Sequence, residues 1–367
     1  MKIAIITRNL PPYPCGISDH TILLAKALEY EGHKVTIIAG RGQVDHNRLI
    51  IEDDWSSPGL SHLLTKLEQL DVDHIVLQYT PLMYSHNQGR QDFAFVKFWQ
   101  ACSQRWQTSI IIHETYFQLW TYPLSWWKGE IQKRLLKTLV DISYFVFTAS
   151  QPLVDELISW GYAEKTTRLP LGSNFPFVPT NRDIFRQQHS IIPETVILTI
   201  FGGGTALKWK RDFVNKLDGY LLTQKIPVSW LFIGGVPLEW FTLSHPILNP
   251  GRLSEIEISQ WLQISDIFLV PHQCGLNAKR GTVMAALQHG LPIVGTSGYM
   301  TDAFWTELEG VTLVPVNNSH QWCKSVVNIC NDVLLRQSHG SSNRDYYQNY
   351  LTWEKISNIF LEGIKEI

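Results

Sequence analysis

The stretch Lys279-Arg280-Gly281-Thr282-Val283-Met284-Ala285-Ala286-Leu287-Gln288-His289-Gly290-Leu291-Pro292 places two cations just ahead of a short apolar helical pattern that a Gly-Leu-Pro turn closes. The first turn of a helix carries backbone N–H groups with no intrahelical acceptor, at the positive end of the helix dipole, so an anion such as phosphate suits it. Gly281 and Thr282 would supply those N–H groups, and Lys279 and Arg280 charge-assisted bonds. A second stretch, Gly202-Gly203-Gly204-Thr205-Ala206-Leu207-Lys208-Trp209-Lys210-Arg211-Asp212, follows an apolar strand. Gly203 and Gly204 permit close backbone approach to a phosphate that Lys208 or Lys210 can reach, although the same residues also describe a plain strand-to-helix turn with solvated cations.

Two further candidates come from the first half. His113 ends the run Ile110-Ile111-Ile112, and the ends of parallel strands line the ligand crevice of doubly wound sheets. A histidine there can donate a hydrogen bond or handle a proton, or it can be a satisfied structural residue. Asp19 and His20 follow the loop Pro11-Pro12-Tyr13-Pro14-Cys15-Gly16-Ile17 and are expected to face the same crevice, unless Ser18 or Asp19 only caps a helix. Asp71-Val72-Asp73 has a spacing that can hold a divalent cation, but it precedes an apolar strand where Asp commonly ends a turn, so it is read as structural and no metal is expected.

The elements that must position these residues alternate in kind. Strand-length apolar runs at 2–7, 35–39, 74–78, 110–112 and 144–147 are interleaved with helical periodicity at 17–30 and 60–70; a second series runs through 196–201, 228–233, 267–270, 292–295 and 312–316. Continuous β-branched runs imply strands buried on both faces, hence parallel sheets covered by helices. Pro170, Gly172, Pro176 and Pro179 mark a linker between two such halves. The boundaries drawn are 1–172, 173–345 and a final segment 346–367, in which 346–360 reads as one helix with an aromatic face. A chain of 367 residues suits two domains of ordinary size.

Composition narrows the partners. With 44% hydrophobic and 17% charged residues and a formal net charge of -2, the chain reads as globular, with no reason to invoke nucleic acid. Its five cysteines lack Cys-x-x-Cys spacing, which fits a reducing cytoplasm better than a disulfide framework or a zinc site. The apolar run at 3–6 is too short for a signal peptide, and nothing approaches the roughly 20 apolar residues that cross a bilayer. Tyr116 to Lys128 is rich in aromatics and leads into Lys133, Arg134 and Lys137, a pattern open to burial, to sugar stacking or to peripheral contact with the inner face of a membrane.

Taken in order, Pro11 to His20, Glu31-Gly32-His33-Lys34-Val35, Leu169-Pro170-Leu171-Gly172, Ile233-Gly234-Gly235, Gly251-Arg252-Leu253-Ser254, Ser265 to Pro271 and Ala286 to Pro292 resemble the GT-B glycosyltransferases of the family 4 type over nearly the whole chain. The resemblance implies an α/β fold of two Rossmann-like doubly wound parallel-sheet domains facing a central cleft, the first for an acceptor and the second for a nucleotide-sugar donor, with the C-terminal helix crossing back to the first. It implies a metal-independent, retaining hexosyl transfer in polysaccharide synthesis, with UDP-glucose the preferred donor, no separate cofactor, and a saccharide or polyprenyl-linked acceptor. By the same resemblance His113 lies near the donor sugar or the acceptor, with Gly16 assigned to the donor and Asp19 an acceptor-side candidate, and the main chain around Arg252 and Leu253 reads the base, with Arg252 as a plain surface cation the alternative. The family's two glutamates in the 277–285 stretch are replaced by Asn277 and Ala285, so Asn277 or a backbone group must accept the sugar's hydrogen bonds. Two rival readings share the fold: a nucleotide-sugar epimerase, and a nucleotide-binding partner without turnover.

Overall fold

Along the first strand, β1 (Lys2–Asn9), Ile3 and Ile5 enter one apolar cluster while Ala4 and Ile6 enter another. Successive side chains of a strand point to opposite faces, so a strand buried on both must be covered on both. The computed structural model describes residues 1–13, 15–43, 48–51, 53–85, 93–116, 126–202 and 207–365. After β1 come α1 (Gly16–Tyr30), β2 (Lys34–Arg41), β3 (Arg48–Ile50), α2 (Ser57–Gln69), β4 (His74–Tyr79), α3 (Phe93–Ser103), β5 (Gln107–Ile112), α4 (Trp126–Ile142), β6 (Phe145–Thr148), α5 (Gln151–Ser159) and β7 (Thr166–Arg168). These strands form one sheet in the order β3-β2-β1-β4-β5-β6-β7, parallel throughout. One face packs on Leu60, Leu63 and Leu67 of α2 and on Phe95, Phe98 and Trp99 of α3, and the other on Leu24 and Leu28 of α1.

The second series runs α6 (Arg182–Gln188), β8 (Val196–Phe201), α7 (Leu207–Thr223), β9 (Val228–Ile233), β10 (Ile247–Leu248), α8 (Glu255–Ile264), β11 (Ile267–Val270), α9 (Gly281–Gln288), β12 (Ile293–Ser297), β13 (Val311–Pro315), α10 (Ser319–Asn331) and α11 (Val333–Tyr350). Its sheet, β10-β9-β8-β11-β12-β13, is again all parallel. Ile197, Leu231 and Phe268 face α8 and α9, whereas Leu198, Trp230 and Leu269 face α7 and α10. Both orders reverse at a central strand, β1 or β8, which places the switch point of a doubly wound sheet at the C-terminal ends of those strands.

The chain divides into two compact units, Met1–Pro170 with Trp353–Ile367, and Leu171–Thr352. The last segment corrects an expectation: 346–360 is not one helix. α11 ends at Tyr350, and α12 (Trp353–Gly363) starts after a break at Leu351–Thr352. The break has a packing reason, since Tyr347 and Leu351 are buried in a core cluster of the second unit while Ile356, Phe360 and Leu361 are buried with Ile3, Ile5 and Phe147 of the first. Among the described residues no helix is long and apolar enough to cross a membrane.

Candidate functional site

In the second unit, residues 271–280 link the C-terminal end of β11 to α9, and polar contacts fix their path. Leu276 N–H donates to Thr296 O at 2.8 Å, Met300 N–H to Cys274 O at 3.0 Å, and Ala278 N–H to the fully buried Asp302 at 2.6 Å. Gly275 adopts φ +87°, and a Cβ there would lie 2.1 Å from Thr301 Oγ1 and 2.4 Å from Gly298 N, so only glycine fits. Asn277 is buried and its Oδ1 accepts from Lys279 N–H at 3.2 Å, so in this loop its side chain shapes the backbone. Ala285, where the family carries a glutamate, is fully buried in the apolar cluster under α9.

Arg280 is the N-cap of α9 and makes no side-chain capping bond; Gly281 and Thr282 are the first two helical residues, whose amides have no acceptor inside the helix. The guanidinium of Arg280 is half-buried, and burial holds it below its ordinary pKa. Its Nη2 contacts His272 Nε2, while its Nε is shielded from solvent with no hydrogen-bond partner. His272 Nδ1 meanwhile faces the N–H of Cys274 at 3.3 Å. A neutral imidazole has one lone pair and here meets two donors, so this ring cannot satisfy both. The result is a shielded cation at the positive end of a helix, with no carboxylate in salt-bridge contact among the described residues, a place where an anion relieves several costs at once. Lys279 is half-buried beside it.

The remaining second-unit candidates lie on other segments of the chain. Gly203 and Gly204 lie outside the described residues, while Lys208 and Lys210 fall in the first turn of α7, which follows β8 and Gly202. Arg252 is exposed after Gly251, whose φ is +78°, and Leu253 packs on the core just before Ser254. Ser254 and Glu257 form a capping box that starts α8.

In the first unit Gly16 opens α1 behind the N-cap Cys15. Neither Ser18 nor Asp19 is the cap, because the helix begins ahead of both. Asp19 is exposed in the first turn and favourably placed for the dipole, whereas His20 points inward and is buried, so the two do not share a face as expected. His113 follows β5, and its N–H donates to Tyr79 O at 3.0 Å, which sets its ring beside Gln78 of β4. His113 Nε2 lies 2.6 Å from Gln78 Oε1, and Gln78 Nε2 lies 3.4 Å from His20 Nδ1. The two imidazoles meet edge to face at 5.1 Å, and Trp353 of α12 closes on His20 at 5.4 Å.

Of the aromatic-basic segment, 117–125 lies outside the described residues. Tyr116 OH donates to Glu156 at 2.7 Å, and the ammonium groups of Lys133 and Lys137 sit over the Trp160 ring at 5.2 and 4.9 Å. Asp71 and Asp73 both bind Lys2, through its Nζ and its N–H at 2.7 Å, at the N-terminal edge of the sheet, away from the strand ends that carry His113.

His272, Gln78 and the ring contacts of His20 were not singled out from the sequence. The available signal was position: His272 stands two residues past an apolar strand, as His113 stands one past another. Gln78 gives no such signal, since its role depends on two histidines distant in the chain.

No family model matches the chain, and no curated protein matches it. Solved structures do. Sucrose-phosphate synthase from Thermosynechococcus elongatus is similar at a TM-score of 0.73 and 14% identity, over 100% of this chain and 98% of that one. HepE from Anabaena, in complex with UDP and glucose, gives 0.69 and 12%, covering 100% of both. A structure from Listeria monocytogenes assigned as UDP-N-acetylglucosamine 2-epimerase gives 0.61 and 10%, over 99% of this chain and 95% of that one. At these identities the likeness is one of fold, and that fold is the α/β GT-B type with two Rossmann-like units.

Proposed function

We propose that this protein is a glycosyltransferase that moves a hexose from a nucleoside diphosphate sugar, with UDP-glucose preferred, to a saccharide or lipid-linked saccharide in polysaccharide synthesis. The observation that carries the reading is Arg280, whose shielded Nε has no partner ahead of the first amides of α9. A diphosphate there takes bonds from Arg280, from Lys279 and from the N–H groups of Gly281 and Thr282, with Lys208 or Lys210 of α7 as further cations. On this reading the second unit holds the donor and the first the acceptor. The uridine base reads the main chain at Arg252 and Leu253.

Transfer needs the negative charge on the departing diphosphate to be stabilised, and fixed cations and helix N–H groups do this without reorganising. The bond from the anomeric carbon to the β-phosphate oxygen breaks, the acceptor oxygen bonds to that carbon, and the acceptor proton passes to the departing phosphate oxygen, with retention. In the first unit, Gly16 leaves room for close approach of a ligand, His113 offers a hydrogen bond to a sugar hydroxyl of donor or acceptor, and exposed Asp19 is the acceptor-side carboxylate. HepE, a protein of this fold, is solved with UDP and glucose bound, which supports the donor class.

The test is calorimetric titration with UDP, ADP and GDP in chelator-containing buffer, followed by product analysis with UDP-glucose and without acceptor. Selective UDP binding with no acceptor-free sugar conversion is expected. Conversion to an isomeric UDP-sugar would instead make the protein an epimerase, and absence of binding to all three nucleotides would sink the reading.

A further inference from the structure

We propose that Gln78 is a positioning residue that fixes which nitrogen of His113 carries the proton. The inference rests on His113 acting at the sugar, but its geometry stands apart from that reading. Gln78 is fully buried on β4, in register with Ile111 of β5, and the Tyr84 hydroxyl lies 2.5 Å from its backbone carbonyl. Its side chain spans two imidazoles, 2.6 Å from His113 Nε2 and 3.4 Å from His20 Nδ1.

An amide offers an acceptor at one end and a donor at the other, so the two rings must play opposite parts. With Oε1 toward His113, His113 holds its hydrogen on Nε2 and keeps its lone pair on Nδ1. His20 accepts at Nδ1 and so carries its own hydrogen on Nε2. The short 2.6 Å contact suits an imidazole N–H donating to oxygen, and the 3.4 Å contact suits the weaker amide-to-imidazole bond. His20 can play only the neutral part: burial among Gln78, His113 and Trp353 pushes its pKa down to about 4. It therefore cannot reverse the chain by becoming a cation near neutral pH. Held by Gln78, the His113 ring keeps one tautomer and one orientation from which to meet a sugar hydroxyl. Because Trp353 packs on His20, α12 supports the same arrangement from behind.

The test is long-range proton–nitrogen NMR on histidine-labelled full-length protein without substrate, which needs no variant for its first arm. His113 is expected as the Nε2–H tautomer at pH above its titration, and so is His20. In Gln78→Glu, nearly isosteric, a carboxylate accepts from both rings, so His20 is expected to move to the Nδ1–H tautomer or to become protonated while His113 stays as it was. In Gln78→Leu, kcat for transfer is expected to fall at least about 10-fold with KM little changed, since the His113 ring remains but is no longer held in position. Finding His113 as Nδ1–H in the wild type, or both rings unmoved in Gln78→Glu, overturns the proposal. If the tautomers are as expected and no UDP-sugar supports transfer, the positioning stands and the transferase reading falls.

Discussion

Replacing Arg280 with methionine should do two opposite things. Methionine keeps most of the stem's packing but removes a guanidinium that has no ion-pair partner among the described residues and whose Nε has no acceptor. Removing a shielded, uncompensated charge in favour of an apolar side chain of similar volume is neutral to stabilising, and about 1 kcal/mol is a conservative expectation. In a domain of this size that corresponds to roughly 2–4 °C in Tm. It also frees His272 to accept from Cys274 alone, which removes the donor conflict. Nucleotide affinity should move the other way: a hydrogen bond to a charged partner contributes about 1.5–3 kcal/mol, so UDP binding should weaken roughly 10- to 150-fold. Melting of the ligand-free protein and calorimetric titration with UDP read the two effects separately. A higher Tm with weaker UDP binding is the behaviour of a residue kept for its ligand at a cost to the fold. A lower Tm with unchanged affinity would refute the reasoning, because Arg280 would then be a structural residue whose bond to His272 outweighs its burial.

Two further substitutions follow from the same contacts. Gly275→Ala forces a Cβ to 2.1 Å from Thr301 Oγ1 and 2.4 Å from a backbone nitrogen at φ +87°, so urea unfolding should show a loss of about 2 kcal/mol or more together with weakened UDP binding. Asp218, buried in the second unit, accepts from Trp230 Nε1 at 2.8 Å, Ser244 N–H at 2.7 Å and His245 Nδ1 at 2.7 Å. Burial alone would raise its pKa, but the bonds from Ser244, Trp230 and His245 together outweigh it and hold the carboxyl below its usual range. A depressed folded pKa means stability present above the unfolded value, near 3.9, and lost as pH falls through the folded one. Unfolding midpoints from pH 5 downward should therefore fall less steeply in Asp218→Asn than in the wild type; parallel slopes would contradict the assignment.

The strands were legible where tertiary context had little left to decide. Ile75-Val76-Leu77 and Ile110-Ile111-Ile112 are apolar on both faces, and no soluble arrangement but a covered parallel sheet buries them. The edge strands β3, β7 and β10 were not foreseen, because segments as short as Thr166–Arg168 and Ile247–Leu248 become strands only through the neighbour they pair with. The cap of α1 was misjudged for a related reason: Ser18 or Asp19 looked like a cap, but α1 begins behind Cys15, where no side chain caps it. At the candidate site the cations and the helix start were visible in the order Lys279-Arg280-Gly281, since they are neighbours in the chain. Their environment was not. That Arg280 meets His272, that Asn277 closes on Lys279 N–H, and that Gln78 bridges two histidines are all products of loop closure and strand register, which residue type alone does not encode.

The return of α12 to the first unit bears on how the chain is made. Phe147 and Phe360 lie 5.0 Å apart in the finished core, yet they leave the ribosome far apart in time. At about 5–20 residues per second the wait is on the order of 10 to 40 s. Through that interval Ile3, Ile5 and Phe147 lack the cover that Ile356, Phe360 and Leu361 will give them. The second unit is continuous in sequence and suffers no such delay, so its core can close first, while the earlier-synthesised unit is finished last. Nascent chains of this protein should therefore be most in need of chaperone shielding at their N-terminal half.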